Sequence, residues 1–246
     1  MPASGGNKVT TMPAGLELAA GRIEKLSLIG RNSGNDAVGT AYETVHSVGG
    51  IRSTISTATT VTVVSSSTDD DNGGGSGCRR VKIKGVDQDG NLAEENINLD
   101  GTAAVTSTNQ YVAVYHVVGN KGAANVGDVD VKNGSDVLLR MEAGTMQADV
   151  PFFRVPVAHR SFLTSFLASV KESAYVSIWA RRHDLPSGVT PWQKKFEVII
   201  TDNTAVYQLP NPIQLDPEFE FEFRAKRVGS TDANVRVDWQ IILEQD

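Results

Sequence analysis

Cys78-Arg-Arg-Val-Lys-Ile-Lys-Gly85-Val86-Asp87-Gln-Asp89-Gly90-Asn91 opens a series that continues through Glu94-Glu95-Asn-Ile-Asn-Leu-Asp100-Gly101-Thr102, Tyr111-Val-Ala-Val-Tyr115 and Asn125-Val-Gly127-Asp-Val-Asp-Val131. Apolar and polar residues alternate within each run, which places successive side chains on opposite faces of a strand. Gly, Asp and Asn stand between the runs, and these residues tolerate the backbone angles that tight hairpins require. The stretch therefore predicts an antiparallel meander, with no helical period in it. Its turns carry no nucleophile–base pair, metal cluster or phosphate loop. The pattern narrows the chain to a binding or structural module.

The flanking sequence extends this class. Thr59-Thr-Val-Thr-Val-Val64 is dense in β-branched residues, which suit a pleated, half-buried surface. Ser65 to Gly77 then reads as a solvent loop, and its acidic triplet Asp69, Asp70, Asp71 as a solvated tip rather than a cation site. A strand at Val137–Met141 leads to Gly144, the expected boundary between two sub-structures. Beyond it the strands are longer and their side chains larger: Phe152–Val155, Ser161–Val170, Ala174–Arg181, Lys195–Ile200, Ala205–Leu209, Glu218–Val228 and Asn234–Leu243. Phe219-Glu-Phe-Glu-Phe223 alternates strictly, so its phenylalanines share one face and its glutamates the other, and Val235 to Ile241 repeats the device. The phenylalanines and all three tryptophans concentrate after residue 151, which predicts the main core there.

These elements predict an all-β fold, an antiparallel β-sandwich of jelly-roll-like kind with two β sub-structures. Residues 1–50 are small, polar and weakly patterned, with Leu16–Leu26 as the one candidate short helix, and read as an extended N-terminal arm. Residues 51–144 form the smaller meander domain and 145–246 the β-sandwich domain. Such an arm buries too little apolar surface to offset an ordering cost of about 1–2 kcal/mol per residue, so it is expected to order against a neighbour.

Composition excludes several classes. The 246 residues are 40% apolar and 21% charged, as in a globular protein, and a net charge of -6 argues against coating nucleic acid. The single cysteine, Cys78, makes no internal disulfide, so the fold is expected not to depend on an oxidising compartment. The first residues lack a secretory signal, and no apolar run approaches the roughly 20 residues of a membrane helix.

Candidate chemistry is sparse. His46, His116, His159 and His183 are far apart, without the close pairing of a helical zinc motif. Asp87-Gln-Asp89-Gly90-Asn91 resembles the start of a calcium loop but lacks the downstream bidentate glutamate, so a hairpin turn is the stronger reading. Gly73–Gly77 lacks the Lys-Ser/Thr ending of a phosphate loop, and no Gly-x-Ser-x-Gly elbow occurs. Glu94-Glu95 and Glu220/Glu222 are carboxylate pairs of a sort common on exposed strand faces. The chain is thus expected to be no enzyme and to carry no catalytic, cofactor or metal residues. Trp192, in the Pro/Gly loop 186–192, either stacks on a sugar or partner or folds back to cap the sandwich.

The order of these pieces carries a resemblance. Gly30-Arg31-Asn32, the Tyr42-Glu43 to Gly49-Gly50 turn, Thr62 to Asp69, Gly85 to Asn91, Leu99-Asp-Gly-Thr102, Val105-Thr106 and Asn125-Val-Gly127-Asp-Val129 follow one another. This series resembles a family of virion structural proteins from tailed bacteriophages, especially marine ones. The family's later signature, a Val-Pro-x-Gly-Lys-Thr-like turn before a long apolar strand, corresponds to Val155-Pro156-Val157-Ala158-His159, with Ala158-His159 replacing Gly-Lys. The resemblance implies a capsid-decorating, neck or tail-associated component of the virion, assembled in the host cytoplasm. Its partners would be other virion proteins and its own copies, as a homotrimer, with no direct nucleic acid and no membrane; a receptor- or glycan-binding fibre module is the alternative.

Overall fold

The computed structural model describes residues 25–183 and 190–245, and among these no helix occurs. The strands are β1 (Leu26–Val38), β2 (Glu43–Thr44), β3 (Thr59–Ser65), β4 (Cys78–Asp87), β5 (Leu92–Asn98), β6 (Val105–Gly122), β7 (Val129–Asn133), β8 (Asp136–Met141), β9 (Gln147–Asp149), β10 (Phe152–Arg154), β11 (His159–Arg182), β12 (Gln193–Leu215), β13 (Phe219–Arg227) and β14 (Ala233–Gln245). They form two antiparallel sheets, and the fold is an all-β sandwich as the alternation predicts.

The meander is the first sheet, in the order β5-β4-β6-β3-β7-β8, with β9 also on β6. Asp87 to Asn91 is its β4–β5 hairpin turn. Asp87 Oδ1 accepts the amides of Asp89 (3.0 Å) and Asn91 (2.9 Å), while Gly90 supplies the left-handed residue at φ +80°. Asp87 Oδ1, the Asp87 carbonyl, which accepts the Gly90 amide at 3.1 Å, and the turn amides thus serve the hairpin geometry.

The second sheet is built on β11, whose 24 residues pair with β12 on one side from Ser161↔Leu215 to Ala180↔Gln193. On its other side β11 pairs with β14 up to Lys171 and with β13 from Ala174 onward. At this change-over Val170 faces Asn203 and Ser173 faces Thr201, so Lys171 and Glu172 together oppose Asp202. Glu172 (φ +72°) and Asp202 (φ +39°) both take left-handed backbone, and the ribbon turns a corner at this bulge.

The corner folds the sheet onto itself. Phe196 and Tyr207 both lie on β12, yet their ring centroids are 6.1 Å apart. An extended strand would separate them by roughly 36 Å at about 3.3 Å per residue. One layer is β1-β14-β11-β12 and the other β12-β11-β13-β10, with β11 and β12 passing through both. Between them Phe166 stacks on Tyr207 at 4.9 Å and meets Phe223 at 5.2 Å, while Trp239 lies edge-on to Phe221 at 5.1 Å. Tyr115 of β6 packs on Phe153 of β10 at 5.5 Å, joining the meander to the same buried cluster.

The strands expected at Ser161–Val170 and Ala174–Arg181 are therefore the two arms of β11, and those at Lys195–Ile200 and Ala205–Leu209 lie within β12. Of the expected arm, residues 1–24 and most of the candidate helix Leu16–Leu26 lie outside the described residues. Residues 26–38 are a strand of the sandwich, paired with β14 from Leu26↔Glu244 to Val38↔Ala233. Most of its side chains are exposed or half-buried, because main-chain bonds hold it at the sheet edge. A polar sequence is what such an edge permits. The chain crosses from the meander into the sandwich between β9 and β10, after Gly144.

The turn before β11 places exposed Ala158 at φ +54°. A left-handed alanine costs about 1–2 kcal/mol, and glycine returns about 0.5–1 kcal/mol of this through its freer unfolded state. Ala158→Gly is expected to raise stability by up to about 1 kcal/mol, read as a higher urea midpoint at unchanged slope.

Candidate functional site

The glutamate face of β13 is not a solvent face. Glu220 and Glu222 are each 1% exposed, buried among cations from other strands. Register puts Arg181 of β11 and Arg154 of β10 beside Glu220, and Trp179 and Phe152 beside Glu222. Arg181 Nε donates to Glu220 Oε2 at 2.6 Å, with Arg154 and His183 at 3.7 and 3.8 Å from the other oxygen. Glu222 accepts from Arg224, two residues along its own strand, and lies 3.8 Å from Arg52. The expectation of an exposed carboxylate pair is thereby corrected: three strands and the segment carrying Arg52 close over it.

That segment, residues 42–52, is pinned by β2 to Arg224 and Ala225 of β13 and by the Val45 amide to the Phe223 carbonyl (3.1 Å). Arg52 lies 3.5 Å over the Phe152 ring and donates to the Ser53 carbonyl at 2.9 Å. Beside it His46 is 2% exposed, and neither of its ring nitrogens makes a well-formed hydrogen bond among the described residues. Burial, aided by the charge of Arg52, lowers its pKa to about 4.

Along the more open part of this face, cations and rings alternate. Lys226 sits 4.6 Å from the Tyr42 ring, Lys194 5.3 Å from Tyr42 and 5.9 Å from Trp179, and Arg224 4.8 Å from Trp179 and 5.0 Å from Trp192. Arg181 ends the row, 4.4 Å from Trp192. Trp192 thus folds back against two guanidinium groups and the core, as the capping alternative has it.

The acidic loop also departs from expectation. Asp70 is fully buried. Its Oδ1 accepts the amides of Cys78 (2.8 Å) and Val126 (2.9 Å), and its Oδ2 the Ser65 hydroxyl (2.7 Å) and the Gly127 amide (2.9 Å). Burial alone would raise its pKa, but Ser65 and the three amides together hold it below the usual carboxylate value. With four donors on two oxygens, Asp70 is a pin between loops. Gly77 is needed beside it, since a Cβ there would fall 2.2 Å from Asp70 Oδ1.

The histidines do not converge. His159 Nδ1 lies 2.8 Å from the Val157 carbonyl, while His116 Nδ1 lies 2.8 Å from Asp149 Oδ1. Asp149 also meets Arg31 of β1 at 3.1 Å, so the trio ties the edge of the sandwich to β6 and β9 of the meander. Next to it lies a polar cleft of about 330 Å³, lined by Asn32, Asn35, Ser47, Arg140, Gln147 and Arg236 among others. No serine among the described residues bonds His116, and no cluster there has the makings of a metal site. Cys78 is buried, and burial raises its thiol pKa.

No family model matches the chain, and neither does any curated protein. Solved structures similar to it include one of infectious bursal disease virus, Gx strain, at 8% identity and a TM-score of 0.25 over 90% of this chain and 76% of that one. A second, of the Gt strain, gives 9% identity and 0.20 over 95% and 81%. A VP2 subviral particle of the same virus gives 9% and 0.18 over 91% and 77%. All three are structures of infectious bursal disease virus or of a particle of it. Likeness at this level sets neither a shared topology nor a role.

Two outcomes follow from the buried groups. Between pH 6.5 and about 4 the unfolded chain protonates His46 while the folded chain does not, so stability falls on acidification through that window. A displacement of this size corresponds to about 3 kcal/mol, and His46→Leu should flatten the slope of urea midpoint against pH. Asp70→Ala, which strands three amides and a hydroxyl, should cost at least about 3 kcal/mol in the same measurement.

Proposed function

We propose that the chain is a structural component of a tailed-phage virion, held in the particle through contacts with its own copies and with capsid, neck or tail proteins. The observation that carries this is the edge of the sandwich: β12 runs 23 residues with, among the described residues, a partner on one side only, and Ile199 and Val206 on it are 52% and 66% exposed. Long open edges with outward apolar residues are assembly surfaces or aggregation hazards, and a protein made in many copies uses them for the former. The order of sequence motifs supports the phage assignment. In this reading the chain is not an enzyme: its buried Glu–Arg groups hold the face of a sheet together, and assembly takes place in the host cytoplasm.

A receptor- or glycan-binding role at a fibre tip is favoured by one observation, the polar cleft beside Asp149, and not by Trp192, whose ring is already engaged. Gln147→Ala should then abolish glycan-array binding, while Trp192→Ala leaves it unchanged.

Mass spectrometry and reconstruction of gradient-purified particles test the leading reading. The chain is expected at fixed copy number on the particle. Its absence from purified particles refutes the virion role.

A further inference from the structure

Among the described residues every edge strand carries charge except one stretch of β12. β1 has Arg31 and Asp36, β5 has Glu94 and Glu95, β8 has Asp136 and Arg140, β9 has Asp149, β10 has Arg154, and the first arm of β12 has Lys194, Lys195 and Glu197. Such charges blunt an edge, because bringing a second strand alongside would desolvate them or set like charges face to face. From Asn203 to Leu215 the second arm of β12 has none, and its part before the prolines reads Asn203-Thr-Ala-Val-Tyr-Gln-Leu209. Among the described residues it pairs with β11 alone, from Val170↔Asn203 to Ser165↔Gln208, which leaves its other edge open there. Val206, at its centre, is the most exposed large apolar side chain of the described residues.

We propose that this arm of β12 pairs antiparallel with the same arm of a second copy, about a twofold axis at Val206. The inference rests on the self-association invoked under the virion reading and names its surface. The occupant is a second copy because the segment is complementary to itself. Antiparallel pairing centred on Val206 sets Val206 against Val206 and Thr204 against Gln208 on the outer face. On the core side it sets the small Ala205 against the large Tyr207, whose ring is already fixed by stacking on Phe166. No like charges meet in this register, and the two valines cover each other. The contact is isologous and closes on two copies.

The segment is also bounded. The corner at Asp202 ends it on one side, and on the other Ile213 resumes pairing only after Leu209-Pro210-Asn211-Pro212, where two residues have no N–H to offer. Pairing is therefore confined to a short patch and does not propagate into a fibre.

Sedimentation velocity of the full chain tests this, with melting temperature as the control for folding. Wild type should form a reversible dimer or an even-numbered assembly. Val206→Lys and Val206→Glu should each weaken it by at least about tenfold, because like charges then face each other across the axis. An equimolar mixture of the two variants should restore it. Val206→Cys gives a second readout: mild oxidation should link two copies, since the only natural thiol, Cys78, is buried. Association unaffected by either charged variant, or disruption by both without rescue in the mixture, overturns the register. A chain that is monomeric in solution yet present in purified particles overturns the twofold pairing and leaves the virion role standing.

Discussion

Everything in the sandwich depends on the corner where Lys171 and Glu172 face Asp202. Without it β11 and β12 would be one flat ribbon, and Phe166 and Phe196 would lie on a surface with nothing to cover them. Bending brings one arm of the ribbon over the other, and the rings of both arms then fill the space with Trp239, Phe221 and Phe223. The left-handed backbone at Glu172 and Asp202 is unfavourable for residues with a Cβ, and the burial of those aromatic rings outweighs it. β13 and β14 follow as a consequence, since each pairs with a different arm of β11.

Period-two alternation made the strands legible, because it reports which face of a strand is buried regardless of what buries it. β14 is the clearest case: its burial alternates residue by residue, as its sequence does. Alternation says nothing about whether two strands are one. Lys171, Glu172, Asp202 and Asn203 read as loop residues, and only the pairing register shows them to be a bulge inside continuous strands. The same limit hid β1, whose mostly exposed side chains leave only a broken apolar trace at Leu26, Leu28, Ile29 and Val38.

The candidate site was less legible for a related reason. Sequence placed Glu220 and Glu222 on a common face correctly, but the groups that bury them come from β10, β11 and the segment around Arg52. Asp70 looked like its acidic neighbours, and the nearest thing to a signal was the glycine at 77, where a side chain would collide with it. His116 and Asp149 meet through the pairing of β6 with β9, which no local pattern encodes. Buried ion pairs of this sort add little net stability over apolar replacements, yet removing one partner alone is costly.

The pairing of β1 with β14 has a kinetic consequence. Leu26 finds its partner at Glu244, so the edge strand made early has nothing to pair with until the last strand of the sandwich has been synthesised. Contacts this far apart in the chain form slowly, and the layer they complete cannot finish on a partly made polypeptide. The meander, whose strands pair mostly with near neighbours, is free to form first.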